Sequence, residues 1–438
     1  MNVSVFGLGY VGSVTCGCLA ADGMSVVGVD ANPQKVAALA AGQSPIVEER
    51  IGDMIAAAVA AGRLRATDDV EAAVVGTDVS IVSVGTPSHA NGSLDLTAVQ
   101  RVCEQIGAAL RHKADRHLVV IRSTVLPGTV RSLVVPTLER TSGKPHGAGF
   151  GVCFNPEFLR EGTSVKDYYE PPFTLIGAID ERDGRMAAGL YDKVAADVHH
   201  STLETAEMVK YVCNAFHALK ITFANEIGLV SQAVGVDSHQ VMALVCKDTK
   251  LNISSRYLMP GFAFGGSCLP KDVRALLYKA RAHDVETPLL ASLLPSNVSQ
   301  VQRAVQLILG LKQKTVAMLG LAFKAGTDDL RESPLVVLAE TLIGKGFDIR
   351  IYDKNVSIAR LTGANKAYIE KEIPHISSLL VPTMADAVAH GNVLIVGNAA
   401  PEFADLPSTM RQGQTIVDLV RIPALAAASG FPYHGIAW

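Results

Sequence analysis

No Cys-x-x-Cys pair, no run of Lys and Arg, and no low-complexity or short-period repeat occurs in the 438 residues. The seven cysteines (Cys16, Cys18, Cys103, Cys153, Cys213, Cys246 and Cys268) are odd in number and scattered. That spacing supports neither a disulfide framework nor a zinc site; no metal is expected, and a reducing cytoplasm is the compartment that fits. With 39 Lys+Arg against 42 Asp+Glu, the net charge is −3. The chain therefore carries no electrostatic footprint for nucleic acid or an anionic membrane, and any acidic ligand must be met by local cations. The uncharged opening Met1–Ala21 lacks a basic segment and is interrupted by Gly7, Gly9, Gly12 and Gly17, which argues against a signal peptide or a spanning helix.

What is present is a chain 49% hydrophobic and long enough for two or three domains with a large core. Up to about residue 179, short apolar runs alternate with amphipathic stretches: Val3–Phe6, Ser25–Asp30, Val79–Val84, Leu118–Ser123 and Gly151–Phe154. This rhythm predicts a parallel sheet with crossover helices. From Ser201 to about Gly228 there is no Pro and almost no Gly, and apolar residues recur at helical spacing, which predicts one long helix with further helical pattern to about Leu311. The strand rhythm then returns at Thr315–Leu319, Asp348–Tyr352, Asn392–Val396 and Thr415–Leu419. The expected fold is α/β: two doubly wound parallel-sheet domains joined by a long central helix and helical connector, bounded at 1–200, 201–311 and 312–438. The cleft between two such sheets is a natural ligand site.

The first strand runs into Gly7-Leu8-Gly9-Tyr10-Val11-Gly12, a helix follows, and the second strand ends in Asp30. Gly7 permits a tight turn, Gly9 lets backbone approach a pyrophosphate, and Gly12 allows close helix packing. The helix N-terminus supplies oriented N–H groups. Asp30 would accept hydrogen bonds from the adenine ribose hydroxyls and repel a 2′-phosphate, so NAD is expected rather than NADP, in a Rossmann-like domain. Lys35 either reaches the cofactor or is a solvated helix lysine. Two further strand ends, Ser83–Pro87 and Arg122–Thr129, make Thr86 and Thr124 candidate hydroxyls for cofactor or substrate, although both segments also read as ordinary turns.

On the long helix Lys210, Asn214, His217 and Asn225 fall at about 0°, 40°, −20° and 60°, a polar stripe of about 22 Å that implies an extended ligand. Lys210 and Asn214, one turn apart, could aim an ammonium and an amide at one oxyanion. A solvated face, and a structural role for His217, are the plainer alternatives. In Pro260–Asp272, Gly265 and Gly266 would bring backbone close to a ligand, and Cys268 follows where a helix is predicted to start, near Lys271. Both features favour a thiolate. Beside a nicotinamide domain such a thiolate has a use: an aldehyde can lose a second hydride only after a nucleophile adds to it. Cys16, Cys18 and Cys213 read as inert core residues.

On Gly7–Gly12, Asn155-Pro156-Glu157-Phe158-Leu159-Arg160-Glu161, the Lys210/Asn214 pair, Phe264–Asp272 and Leu321–Pro334, the sequence resembles the UDP-glucose/GDP-mannose 6-dehydrogenase family along its whole length. The resemblance implies four-electron oxidation at C6 of a nucleotide sugar using two NAD per turnover, with Cys268 as nucleophile through a thiohemiacetal and a thioester. Lys210 and Asn214 would stabilise oxyanions, and Glu161, with Thr124 and Asp272, would take part in thioester hydrolysis. It implies NAD contacts from Tyr10, Val11, Asp30, Lys35, Thr86, Thr124, Lys271 and Arg331. Sugar-nucleotide contacts would come from Glu161, Lys210, Asn214, His217, Asn225, Tyr257, Gly265 and Lys324. His217 and the stretch after Ala263 favour GDP-mannose, oxidised to GDP-mannuronate for an acidic polysaccharide such as alginate. The alternatives are a UDP-sugar 6-dehydrogenase and a two-electron hydroxy-acid-type dehydrogenase. Where the GDP-mannose enzymes read Tyr-Tyr-x-Arg-Pro, this chain has Arg256-Tyr257-Leu258-Met259-Pro260; either Arg256 supplies the cation that Met259 lacks, or nucleotide binding is weaker than in relatives. The family also implies a homodimer or higher homo-oligomer through the central helix, with neither nucleic acid nor membrane as partner.

Overall fold

The computed structural model describes residues 1–91, 93–160, 162–254, 257, 260–266, 269–323, 325, 330–356 and 376–438. The chain divides into two compact units, Met1–Ala218 and Leu219–Trp438. The division falls inside one helix.

The first unit interleaves β1 (Asn2–Phe6), α1 (Tyr10–Ala21), β2 (Ser25–Val29), α2 (Pro33–Ala40), α3 (Ile51–Ala60), β3 (Leu64–Thr67), α4 (Val70–Val75), β4 (Val79–Val82), α5 (Thr97–Leu110) and β5 (His117–Ile121). It continues through α6 (Val135–Ser142), β6 (Phe150–Phe154), α7 (Ser164–Tyr169), β7 (Thr174–Ala178), α8 (Glu181–Ala188) and β8 (Val198–Ser201). The sheet order is β3-β2-β1-β4-β5-β6-β7-β8. Every pairing is parallel except β6 with β7, which is antiparallel and short. The central strands β4 and β5 are buried throughout, whereas β3 and β8, at the edges, are not. Strands covered on both faces need continuous apolar runs, which is why Val79–Val82 and His117–Ile121 look alike in sequence.

The second unit has sheet order β10-β9-β11-β12-β13, built from β9 (Thr315–Leu319), β10 (Asp348–Tyr352), β11 (Val393–Val396), β12 (Thr415–Asp418) and β13 (Tyr433–Gly435), all parallel. The edge strand β10 alternates exposed and buried positions, while the central β11 is buried throughout. The long helix α9 (Leu203–Ala233) is followed by α10 (Ser238–Val245), α11 (Leu269–Arg281), α12 (Pro288–Gly310) and α13 (Pro334–Gly344). Pro295 lies inside α12. Among the described residues no helix is long and apolar enough to cross a membrane.

Both sheets use one device at the end of their second strand. In the first unit Gly7 (φ +96°) makes the turn after β1, its N–H donating to the Val29 carbonyl at 2.8 Å. Leu8 N–H then donates to Asp30 Oδ2 at 2.6 Å, and Asn32 N–H to Oδ1 at 2.8 Å. In the second, Gly320 (φ +93°) donates to the Tyr352 carbonyl at 2.8 Å. Leu321 and Ala322 N–H donate to Asp353 Oδ2 at 2.8 and 3.0 Å, and Asn355 N–H to Oδ1 at 3.0 Å. A carboxylate thus satisfies the backbone donors that a strand-to-turn transition exposes. The two copies part at the next residue. Gly9 has nothing within 4 Å of where a Cβ would stand, whereas Ala322 is fully buried. Only the first unit leaves open backbone at this point.

Candidate active site

The fold places β1 and β4 side by side with their following helices on opposite faces, and the crevice at that reversal lies above the carboxyl ends of the strands. Glycine is required there. A Cβ on Gly7 would stand 2.8 Å from the Ser83 carbonyl oxygen, and one on Gly12 would fall inside the envelope of the Gly7 carbonyl oxygen. Gly12 therefore serves the closeness of α1 to its own turn, and Gly9 the openness of the loop. Two cavities flank this loop. One of about 410 Å³ is bounded by Gly7, Asp30, Asp68, Arg101 and Gln105; the other, about 300 Å³, by Gly9, Tyr10, Val11, Thr86, Arg122, Thr124 and Glu157. A loop open on its Gly9 side, a helix N-terminus and a carboxylate at the end of β2 form a donor and acceptor set that fits a dinucleotide.

Of the cofactor residues expected from sequence, Gly7, Gly9, Tyr10, Val11, Gly12, Asp30, Thr86 and Thr124 converge on this loop and its cavities. Lys35 Nζ lies 3.6 Å from Asp30 Oδ2. The Thr86 hydroxyl donates to the Thr124 carbonyl at 2.7 Å, tying the ends of two strands together and leaving its oxygen free to accept. Tyr10 is also engaged: its hydroxyl donates to Glu48, which further accepts from Gly162 N–H at 2.8 Å and Ser164 N–H at 3.1 Å. Burial opposes ionisation of Glu48, but these hydrogen bonds outweigh it and hold its carboxyl below the usual range.

The strongest polar contact at the site was not visible from the spacing. Lys210 Nζ lies 2.9 Å from Glu157 Oε1, with both side chains nearly buried, and sits 5.6 Å from the Phe158 ring centroid. Helix α9 delivers it there because Glu207, one turn earlier and fully buried, accepts from Gly128 N–H at 2.6 Å and Val130 N–H at 2.9 Å. Burial raises the Glu207 carboxyl above its ordinary value, against those two donors. At the far end of α9, Glu226 repeats the device on Leu289 and Leu290 N–H at 2.7 and 2.9 Å. Both glutamates cap the start of another segment with their carboxylates.

The polar stripe is not one environment. Lys210 is buried and ion-paired, whereas Asn214, His217 and Asn225 are exposed. Lys210 is held against Glu157 and the Phe158 ring, and Asn214, one turn on, stands in the open. Lys271 Nζ pairs with Asp272 Oδ1 at 2.6 Å, both mostly exposed. Tyr257 is 87% exposed and takes φ +62°, and Arg331 is half-buried. Gly265 and Gly266 answer to packing: a Cβ on Gly266 would stand 3.0 Å from the Phe323 ring, and one on Gly265 would strike the Glu332 carbonyl and come within 2.6 Å of Pro334 Cδ. Close approach to a neighbouring segment of the chain thus requires glycine at both positions. Cys268, Glu161, Arg256, Met259 and Lys324 lie outside the described residues.

Cys16, Cys18, Cys103 and Cys153 are buried, and burial pushes their thiols up, to about 12 for Cys18 and Cys103, so these positions are poor nucleophiles. Cys246 is exposed and Cys213 half-buried. Glu157 is the site residue that the sequence reading passed over, although it stands in the Asn155–Glu161 motif; its partner is distant in sequence, and no local pattern pairs them.

Family models match three stretches of the chain: the NAD binding domain of the UDP-glucose/GDP-mannose dehydrogenase family over residues 1–195, its central domain over 204–299, and its UDP binding domain over 317–423. A Pseudomonas aeruginosa protein named GDP-mannose 6-dehydrogenase is 52% identical over all of both chains. A UDP-glucose 6-dehydrogenase from Haloferax volcanii is 36% identical over 93% of each. Among solved structures, a ternary complex of GDP-mannose dehydrogenase from Pseudomonas aeruginosa superposes with a TM-score of 0.96 over the whole of both chains at 52% identity. A UDP-glucose dehydrogenase from Pyrobaculum islandicum gives 0.56 at 34% identity, covering all of this chain and 98% of the other.

Proposed function

Because the chain belongs to the UDP-glucose/GDP-mannose dehydrogenase family and is an NAD-dependent nucleotide-sugar dehydrogenase, we propose that it oxidises GDP-mannose at C6 to GDP-mannuronate. The observation that carries the choice of sugar nucleotide is the full-length 52% identity to a protein named for GDP-mannose, against 36% to one named for UDP-glucose. The UDP binding domain matched over 317–423 favours a second reading, a UDP-sugar 6-dehydrogenase. An acidic polysaccharide pathway such as alginate synthesis, a cytoplasmic location and a homodimer through α9 complete the proposal. Met208, Val212, Ile221 and Leu229 on α9 are about half exposed or more, which supports the last.

NAD would be held by the loop from Gly7 to Gly12, by Asp30 and by the walls around Thr86 and Thr124, and when bound it accepts the hydride in each of two oxidations. The chain's own residues do the rest. The Cys268 thiolate adds to the aldehyde carbon, forming a C–S bond while the carbonyl oxygen takes up a proton. Loss of the second hydride from carbon, with the hydroxyl proton released to solvent, leaves a thioester. Attack by water breaks the C–S bond, releasing carboxylate and restoring the thiol. The Lys210 ammonium would donate to the oxyanion that forms on the reacting carbon. Glu157, its carboxylate 2.9 Å away and on the wall of the 300 Å³ cavity, accepts the proton of the attacking water. Asn214, Glu161, Thr124 and Asp272 remain candidates for oxyanion and water contacts; Lys271 and Arg331 for NAD; and His217, Asn225, Arg256, Tyr257, Gly265 and Lys324 for the nucleotide sugar.

Purified protein with excess NAD and limiting GDP-mannose should form two NADH per sugar, and should turn over GDP-mannose at higher kcat/KM than UDP-glucose. One NADH per sugar would exclude the thioester route, and a reversed preference would favour the UDP-sugar reading.

A further inference from the structure

Arg122 stands at the carboxyl end of β5 and is 5% exposed. Its Nη1 donates to Asn155 Oδ1 and to the Tyr191 hydroxyl, each at 2.6 Å, and that hydroxyl donates in turn to Asn155 Oδ1. Both partners are neutral. Among the described residues no carboxylate lies within ion-pairing distance of the guanidinium, and its buried Nε has no hydrogen-bond partner. A guanidinium keeps its charge at any physiological pH, and a buried cation without a counter-charge is strongly penalised. Packing gives no reason to put one here, since a methionine or leucine would fill the space without that penalty. The location gives a reason: Arg122 shares the wall of the 300 Å³ cavity with Gly9, Thr86, Thr124 and Glu157.

We propose that Arg122 is a positioning residue for Glu157, fixing its backbone through Asn155. The coupling runs through one node. Asn155 is pinned from three sides: its N–H donates to the Ile121 carbonyl at 2.9 Å, its Nδ2 to the Leu175 carbonyl at 2.9 Å, and its Oδ1 accepts from Arg122 and Tyr191. Pro156 follows and removes one backbone rotation. Glu157, two residues from the node, is thereby presented to Lys210 with little freedom to swing.

This inference rests on the reading of Glu157 as the base, and the test separates the two. The groups facing Glu157 are Lys210 from α9, Arg122 from the end of β5, Asp167 and Tyr168 from α7, and Tyr191; Asp167 is itself paired with Arg160 at 2.6 Å. The kcat is measured for wild type, Arg122→Gln, Arg122→Lys and Asn155→Ser, with KM for both substrates and thermal midpoints. A general base contributes roughly 10²–10⁴-fold and a misplaced one forfeits part of it, so Arg122→Gln should lower kcat at least about tenfold with little change in either KM. Arg122→Lys keeps a donor for Asn155 but not the fork, and should recover part of that loss. Asn155→Ser cuts the link with the guanidinium intact, and keeps the inference testable if Arg122→Gln does not fold; kcat should again fall with little change in either KM.

Wild-type kcat in Arg122→Gln, or in Asn155→Ser when the former does not fold, would overturn the inference. So would equal losses in the Gln and Lys variants accompanied by a raised KM and a lowered thermal midpoint, which is the signature of simple structural damage. A wild-type protein that forms no NADH from either GDP-mannose or UDP-glucose would overturn the functional reading and this inference together. Active wild type with indifferent variants overturns this inference alone.

Discussion

Alanine at Gly9 and at Gly12 should do different kinds of damage, and the contrast tests why each glycine is there. At Gly12 an added Cβ meets the Gly7 carbonyl oxygen so closely that α1 or its turn must move by roughly 1 Å or more. Overpacking of that kind usually costs about 1–3 kcal/mol, which for a unit of this length lowers the thermal midpoint by roughly 2–12 °C. A 1 Å displacement of a binding loop can also cost about a hundredfold in what it positions, so NAD affinity should fall by up to about 2.7 kcal/mol. At Gly9 nothing lies within 4 Å of the added carbon. The protein without NAD should therefore melt as wild type does, while NAD binding weakens at least about tenfold because the methyl occupies the space the pyrophosphate needs. Differential scanning fluorimetry without ligand, and calorimetric titration with NAD, measure the two effects separately. Wild-type NAD affinity in Gly9→Ala would refute the placement of the cofactor on this face of the loop, and an unchanged melt in Gly12→Ala would refute the packing account.

Two other outcomes follow from named side chains. Burial first, then the nearby Lys113, drops the His117 imidazole to about 3 against an ordinary 6.5; the Thr77 carbonyl and Asp78 oppose this, and Ser80 bonds Nε2 at 2.7 Å. The unfolded chain takes up that proton at higher pH, so stability present above pH 6.5 is lost as pH falls toward the folded value. Between about pH 7.5 and about pH 4.5 the loss should be about 2.7 kcal/mol more in wild type than in His117→Gln by urea denaturation, and parallel curves would dismiss the account. On α9, Ile221 is 63% exposed and Val212 54%. Glutamate at both positions should leave the melt of each unit near wild type but convert a dimer to a monomer in sedimentation equilibrium. A wild-type protein that already sediments as a monomer, or a double variant that stays dimeric, rules the helix out as the interface.

Much of the chain was readable without coordinates because local periodicity decides it. The strands Thr315–Leu319 and Asp348–Tyr352 agree end to end with the alternation of apolar residues, and the span without proline after Ser201 becomes α9, extended to Ala233. The turn from β1 into α1 and the acid ending β2 are equally local: glycine at φ +96° and a carboxylate two residues before Asn32 are requirements of a few bonds. Even so, the same turn recurs as Gly320-Leu321 with Asp353-Lys354-Asn355, and the recurrence went unread because one side chain, on Ala322, hides the glycine pattern.

Pairing across the chain was decided elsewhere. Nothing in Phe150–Phe154 or Thr174–Ala178 says that they run antiparallel, since either direction buries the same faces. Nothing in residues 157 and 210 announces an ion pair, because opposite charges attract in any fold that brings them together. Gly265 and Gly266 look from the sequence like a ligand cradle, and only the fold adds that Glu332, Pro334 and Phe323 pack where their side chains would stand. Arg122 reads as one more cation in a turn until the fold buries it with two neutral partners. Sequence determines which backbone states are cheap, residue by residue; which distant groups share a low-dielectric space, and hence what chemistry they can do, is set only when the chain closes on itself.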